Sequence, residues 1–147
     1  MNIRRYSQKR VYLFFYFCYN ISGDNEMDCI FCKIINNQIP SYTIYEDDVV
    51  KVFLDIQPDS NGHSLVVPKK HFQDMMDIDN DTLIYIMNVN RKIKKLLEEK
   101  LHIDGLTLIQ NNGSIQEIKH FHLHLKPYYK EKQEILSTEK VFNILTK

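Results

Sequence analysis

The chain has 147 residues, 44% hydrophobic and 26% charged, the composition of an ordinary globular protein with room for one core. Nineteen basic and nineteen acidic residues cancel, which excludes the overall basic footprint of a nucleic-acid-binding protein. Three cysteines (Cys18, Cys29, Cys32) are too few for a disulfide framework and point to a reducing, cytoplasmic setting.

Residues 1–26 differ from the rest. Arg4, Arg5, Lys9 and Arg10 precede an apolar run over residues 11–19, far short of the roughly 20 residues needed to span a bilayer. A basic start and a short apolar run resemble a targeting leader, yet no small-residue cleavage site follows. Met27 stands just before the first clear motif, so an upstream start codon is the other reading. Either way the domain is expected over 27–147, with an organelle address only if the leader is genuine.

Residues 42–45 and 49–54 are β-rich runs split by Glu46-Asp47-Asp48, which predicts a hairpin. Asn61-Gly62 predicts a turn before a strand over 63–67, stopped by Pro68. Residues 79–101 form a long helix: Asp79, Asn80 and Asp81 offer N-caps, and Leu83, Ile86, Met87, Ile93 and Leu97 recur at helical spacing. Its charged positions, among them Lys94, Lys95, Glu98 and Glu99, make a solvated face. A strand over 106–109, a turn at Asn111-Asn112-Gly113, a histidine-bearing strand and a short helix over 137–145 complete the chain. Hairpin strands first and one long helix between later strands imply an α+β domain with a mainly antiparallel sheet.

In HFHLHLKP, His120, His122 and His124 alternate with Phe121, Leu123 and Leu125. The strand period of two sends the three imidazoles to one face and the apolar residues into a core. Pro127 argues against a helix. Three imidazoles on one face can bind a metal, attack an electrophile or bind a phosphate.

HFHLHLKP fits the H-x-H-x-H-x-x-P signature of the histidine triad (HIT) superfamily, and four further segments resemble that family in the same order. They are CIFCKIINNQIPS (29–41), YEDDVVKVFLDIQP (45–58), GHSLVVPKKH (62–71) and GLTLIQNNG (105–113). The resemblance implies a homodimer with a continuous ten-stranded sheet and a purine nucleotide such as AMP bound over the histidines. The branch it looks most like, the histidine triad nucleotide-binding proteins, implies a nucleoside phosphoramidase or nucleotidyl hydrolase. The alternatives are a dinucleoside polyphosphate hydrolase and a nucleotide-binding adaptor with little turnover. No nucleic-acid partner and no stable membrane span are expected.

A neutral imidazole is an uncharged nucleophile that splits phosphoryl transfer into two easier displacements. By the resemblance, His122 is that nucleophile, attacking through Nε2 while Nδ1 donates its proton to an acceptor such as a backbone carbonyl. His124 would contact the phosphate and protonate the leaving group, and His63 would support the triad.

Cys29 and Cys32 form a C-x-x-C that could be a redox pair or half of a zinc site. The resemblance implies that His71 and His120 complete one structural zinc site, which would also pin the triad strand. It further assigns Asp55 to the ribose hydroxyls, Ile30, Phe31, Ile34, Phe53 and Ile56 to the base, and Asn111 and Gln116 to the phosphate.

One segment departs from the family. Six residues, SIQEIK, stand where eight are common, with Ile115 at a glycine position and Glu117 where a serine often donates to phosphate. A carboxylate there would repel phosphate oxygens unless it turns away or Lys119 compensates.

Overall fold

A computed structural model describes residues 28–147. The expected extension over residues 1–26, and Cys18 within it, lie outside the described residues. Helix α1 (Ile30–Ile35) is followed by β1 (Thr43–Glu46), β2 (Val50–Leu54), β3 (Ser64–Pro68), α2 (Asn80–Leu101), β4 (Gly105–Ile109), a 3-10 turn at Gly113–Ile115, β5 (Leu123–Tyr128) and α3 (Thr138–Thr146). The strands form one five-stranded antiparallel sheet in the order β1-β2-β3-β5-β4. The α+β architecture matches the expectation from the sequence. The ten-stranded sheet belongs to a pair of chains and is taken up below. Among the described residues no helix is long and apolar enough to cross a membrane.

The period of two in the central strands builds a separate core on each side of the sheet. Val50, Val52, Leu54, Val66, Leu123 and Leu125 face one side, against Ile86, Val89, Ile93 and Leu97 of α2 and Val141 and Leu145 of α3. Phe53, Leu65 and Val67 face the other side, against Ile30, Phe31, Ile34 and Ile39 in and just after α1. Because Leu123 and Leu125 take the α2 side, His122 and His124 are sent to the α1 side. The site therefore lies there.

Local signals explain the boundaries. Asp79 caps α2 by accepting from the Thr82 backbone N–H at 2.8 Å. The helix stops at His102, which adopts the left-handed conformation (φ 52°), in agreement with the expected end at residue 101. Gly62 combines a φ of 88° with contact against α2: a Cβ there would meet Leu101 Cδ1 at 2.7 Å and Leu97 Cδ2 at 2.9 Å. In the β1–β2 turn, Asp47 accepts from Val49 N–H and Val50 N–H (2.8 and 2.9 Å) and from the Tyr45 and Tyr85 hydroxyls (2.7 and 2.8 Å). Tyr85 thereby ties the turn to α2.

Helix α1 was not anticipated from the sequence. Six residues are too short to be stable alone, so tertiary contacts must hold it. The buried Lys51 ammonium reaches across from β2 to the Ile34 carbonyl (3.2 Å) and Asn37 Oδ1 (2.9 Å), satisfying the helix's C-terminal end. Cys29 is its N-cap, its thiol accepting from the Cys32 N–H.

Candidate functional site: two histidine clusters joined by one segment

The three histidines divide between two sites. The ladder of β5 begins only at Leu123, so His120 and His122 precede the strand predicted to carry them. The alternation persists regardless, because Phe121 is buried in the α2-side core and its N–H donates to the Phe72 carbonyl at 2.6 Å. His120 points to the cysteines, while His122 and His124 line a cavity of about 320 Å³.

Hydrogen bonds define which nitrogen of each ring carries the proton. His122 Nδ1 lies 2.7 Å from the His120 carbonyl oxygen, which can only accept. The proton is therefore on Nδ1, and Nε2 keeps its lone pair. This is the arrangement a nucleophilic imidazole needs. His63 Nδ1 accepts from the Asp59 N–H at 3.2 Å, so in neutral His63 the proton sits on Nε2 and is donated to His124 Nδ1 at 3.0 Å. That leaves Nε2–H as the donor of His124. One backbone amide thus sets the tautomers of two imidazoles.

Burial keeps these rings neutral. It pushes His120 down to about 4; it also brings His124 to about 4, with repulsion from His122 and His63 adding to it. Burial lowers His122 and His63 as well, partly opposed by Asp55 in both cases. The same burial raises Asp55, against the Gln57 N–H and His63, which favour its ionised form. Asp55 Oδ2 lies 3.6 Å from His63 Nε2, and with His124 the three could surround a cation. The tautomer argues otherwise: His63 Nε2 bears a proton aimed where an ion would sit.

Most of the expected pocket residues line this cavity: Ile30, Phe31, Phe53, Asp55, Ile56, His63, Asn111, His122 and His124. Phe31 stands edge-on to His122, with ring centroids 5.0 Å apart, and to Phe53 at 5.7 Å. Two expected site residues, Ile34 for the base and Gln116 for the phosphate, are elsewhere. Ile34 lies one helical turn past the cavity-facing Ile30 and is wholly buried in the α1-side core. Gln116 is buried, with its Nε2 donating to the Gln73 carbonyl at 2.6 Å, and it does not reach the cavity. Sequence reasoning missed Ser41, Gln57, Asp59, Leu65, Ile115 and Ile118. Leu65 was within reach, since it shares strand parity with His63. Glu117 does line the cavity, and Lys119 donates to the Gly113 carbonyl at 2.7 Å.

Beside the cavity Cys29, Cys32, His71 and His120 converge, as the C-x-x-C and PKKH segments imply. His120 Nδ1 lies 3.4 Å from Cys29 Sγ and 3.5 Å from Cys32 Sγ, and His71 Nδ1 lies 3.3 Å from Cys32 Sγ. Bond lengths of a tetrahedral zinc site place neighbouring sulfur and nitrogen ligands about 3.6 Å apart. His120 Nε2 donates to the Pro68 carbonyl at 2.8 Å, leaving Nδ1 unprotonated toward the sulfurs. The two thiols and two imidazoles therefore fit a tetrahedral zinc ion in number, type and spacing.

Comparison with known proteins places this geometry in a family. The HIT domain model matches residues 36–131, a span that includes Asp55, His63, His71 and all three alternating histidines and begins just after the cysteines. An uncharacterized HIT-like protein of Methanocaldococcus jannaschii is 42% identical over 120 residues, covering 79% of this chain and 91% of that one. The adenosine 5′-monophosphoramidase HNT1 of Saccharomyces cerevisiae is 39% identical over 110 residues, covering 74% and 67%. A crystal structure of a zinc-bound histidine triad family protein from Mycobacterium smegmatis superposes with a TM-score of 0.76 at 32% identity, over 83% of this chain and 93% of that one. The chain belongs to the histidine triad family and is an enzyme of the HIT hydrolase type.

Proposed function

We propose that the protein hydrolyses purine nucleoside phosphoramidates, or AMP-linked anhydrides, through a nucleotidyl-histidine intermediate on His122. The observation that carries this reading is the His122–His120 hydrogen bond, which leaves a neutral imidazole with its Nε2 lone pair in the cavity. The relative from Saccharomyces cerevisiae, an adenosine 5′-monophosphoramidase, supports the substrate class.

In this reading Phe31, Phe53, Ile30 and Ile56 enclose the base, Asp55 accepts from the ribose hydroxyls, and Asn111 donates to the phosphate. His122 Nε2 attacks the α-phosphorus. The bond from phosphorus to the leaving nitrogen or oxygen breaks with its electron pair on that atom, and the His63–His124 pair passes it a proton. The bound phosphate's negative charge favours the protonated form of the pair at this stage. Water then attacks phosphorus, the bond to His122 breaks, and the water's proton returns to the pair. AMP and the free amine or acid are released.

The cysteine–histidine cluster would hold one zinc ion through Cys29, Cys32, His71 and His120. Zinc bound there would tie the start of α1 to the segment entering β5, and His120 with it. Strand β4 lies at a sheet edge, and pairing two such edges in a homodimer would give the ten-stranded sheet.

The test is a turnover panel of adenosine phosphoramidate, a mixed AMP anhydride and diadenosine polyphosphates. Faster turnover of the first two supports the reading. Preference for the polyphosphates, or AMP binding without turnover of any of them, contradicts it. Among the described residues no lysine or arginine lines the cavity, which disfavours a polyphosphate.

A further inference from the structure

The loop from β2 to β3 runs from Asp55 to His63 and is closed at its base, where the Asp55 N–H donates to the His63 carbonyl at 2.9 Å. Within it the His63 N–H donates to the Ser60 carbonyl at 3.0 Å, and the His63 ring folds back to accept from the Asp59 N–H. The orientation of one peptide group, between Pro58 and Asp59, therefore decides which nitrogen of His63 carries the proton. Contacts from outside the loop keep such a group in one orientation.

The chain after the histidines supplies those contacts. On one side of the turn, the Tyr129 hydroxyl donates to the Asn61 carbonyl at 2.8 Å. The Asn61 side chain donates to the Glu134 carbonyl and accepts from the Leu136 N–H. On the other side, Lys126 donates to the Asp59 carboxylate, on the very residue whose amide meets His63. Strand register explains the reach. Ser64 stands opposite Leu125 in the β3–β5 pair, so the next position along β5, Lys126, is level with His63 and its turn. The period of two puts Lys126 on the same face as His124. Lys126 itself is not among the residues that line the cavity.

We propose that Lys126 is a positioning residue for the proton-donating pair: by holding the Asp59 carboxylate it fixes the Asp59 amide against His63, and through His63 the Nε2–H of His124. The inference rests on the phosphoramidase reading and deepens it, because in that reading the pair protonates the leaving atom. Without the ion pair the Asp59 peptide turns more freely, and His63 Nδ1 loses its donor. The tautomer with the proton on Nδ1 then competes. In that form His63 Nε2 accepts from His124 Nδ1–H, and His124 Nε2 presents a lone pair where the leaving atom needs a proton. A second way for Lys126 to act is by charge alone. Burial is the first cause that lowers both rings, and the positive charge of Lys126 is among those that add to it. Positioning needs two opposite charges in either order, whereas the direct effect needs a positive charge at residue 126.

The experiment compares the wild type with Lys126→Met and with Lys126→Glu combined with Asp59→Lys, which restores an ion pair with its charges exchanged. Both side chains reach solvent, so these variants should fold. Heteronuclear NMR of the imidazole nitrogens at neutral pH, without substrate, reads which of them carry protons. In the wild type His63 and His124 should each show a protonated Nε2. Lys126→Met should add a population with the proton of each ring on Nδ1, and the exchanged pair should remove most of it. With adenosine phosphoramidate, kcat of Lys126→Met should fall on the order of fivefold at unchanged KM, the scale of a solvent-exposed ion pair. The exchanged pair should recover most of that loss. Wild-type tautomers in Lys126→Met would overturn the proposal. So would a loss that the exchanged pair leaves unrepaired, since Lys126 would then act on the rings by its charge. Absence of turnover in the wild type would reject the phosphoramidase reading, whereas the spectra, which need no substrate, would still decide whether Lys126 positions the pair.

Discussion

His122 Nδ1 and the carbonyl oxygen of His120 are 2.7 Å apart, and this contact joins the two histidine clusters. The His120 side chain lies among the cysteines, while its backbone carbonyl fixes the tautomer of the ring that presents Nε2 to the cavity. A cluster that looks purely structural therefore sits one hydrogen bond from the proposed chemistry.

Elemental analysis of protein purified without chelator should find about one zinc per chain. Cys32→Ser should lower zinc content, and kcat should fall as well because His120 loses its anchor. Rescue of both by added zinc would tie the two effects together. Metal-free protein with full stability and full activity would remove zinc from the account.

Glu117→Ser should tighten AMP binding several-fold at low salt, since a carboxylate beside His122 repels phosphate oxygens. The gain should shrink as ionic strength rises. Calorimetric titration of AMP reads both. An affinity unchanged at every salt concentration would mean the side chain does not meet the phosphate.

Much of the site was legible because strand alternation is insensitive to where the ladder begins. His122 and His124 face the cavity even though β5 starts at Leu123. The family motifs likewise brought Cys29, Cys32, His71 and His120 together across long sequence separations. What was hidden depended on tertiary contacts. Helix α1 is held by Lys51 from β2, a contact that no local propensity signals. Gln116 is drawn inward by the Gln73 carbonyl, although its amide would serve a phosphate equally well. Ile34 is directed to the core by the turn of that same unanticipated helix.

His63→Gln should lower kcat by about 10-fold to 100-fold, a share of the usual general acid–base contribution. The loss should be greater for a poor leaving amine than for an activated leaving group, because His63 acts through the donor of His124. An equal loss for both leaving groups would indicate a structural role alone.

Asp47 provides a test of the fold by pH. Its burial acts to raise its pKa, but the hydrogen bonds from Tyr45, Val50, Val49 and Tyr85 outweigh this and bring it to about 2. A folded-state pKa below the unfolded value of 3.8 gives stabilisation that is present above that value. It is lost as pH falls toward 2. After discount for solvent screening, the contribution is about 1 kcal/mol. Asp47→Asn should therefore lower stability at pH 7 and flatten the acid limb of the stability curve. Parallel limbs in urea melts of the two proteins would contradict this assignment.

The central claim is tested most directly by trapping the intermediate. Acid quench of wild-type protein during turnover of adenosine phosphoramidate, followed by peptide mass spectrometry, should place an adenylyl group on His122. In His122→Ala the adduct and turnover should both vanish while AMP still binds. An adenylyl group found on His120 or His124 with His122 unmodified, or full turnover in His122→Ala, would contradict the account.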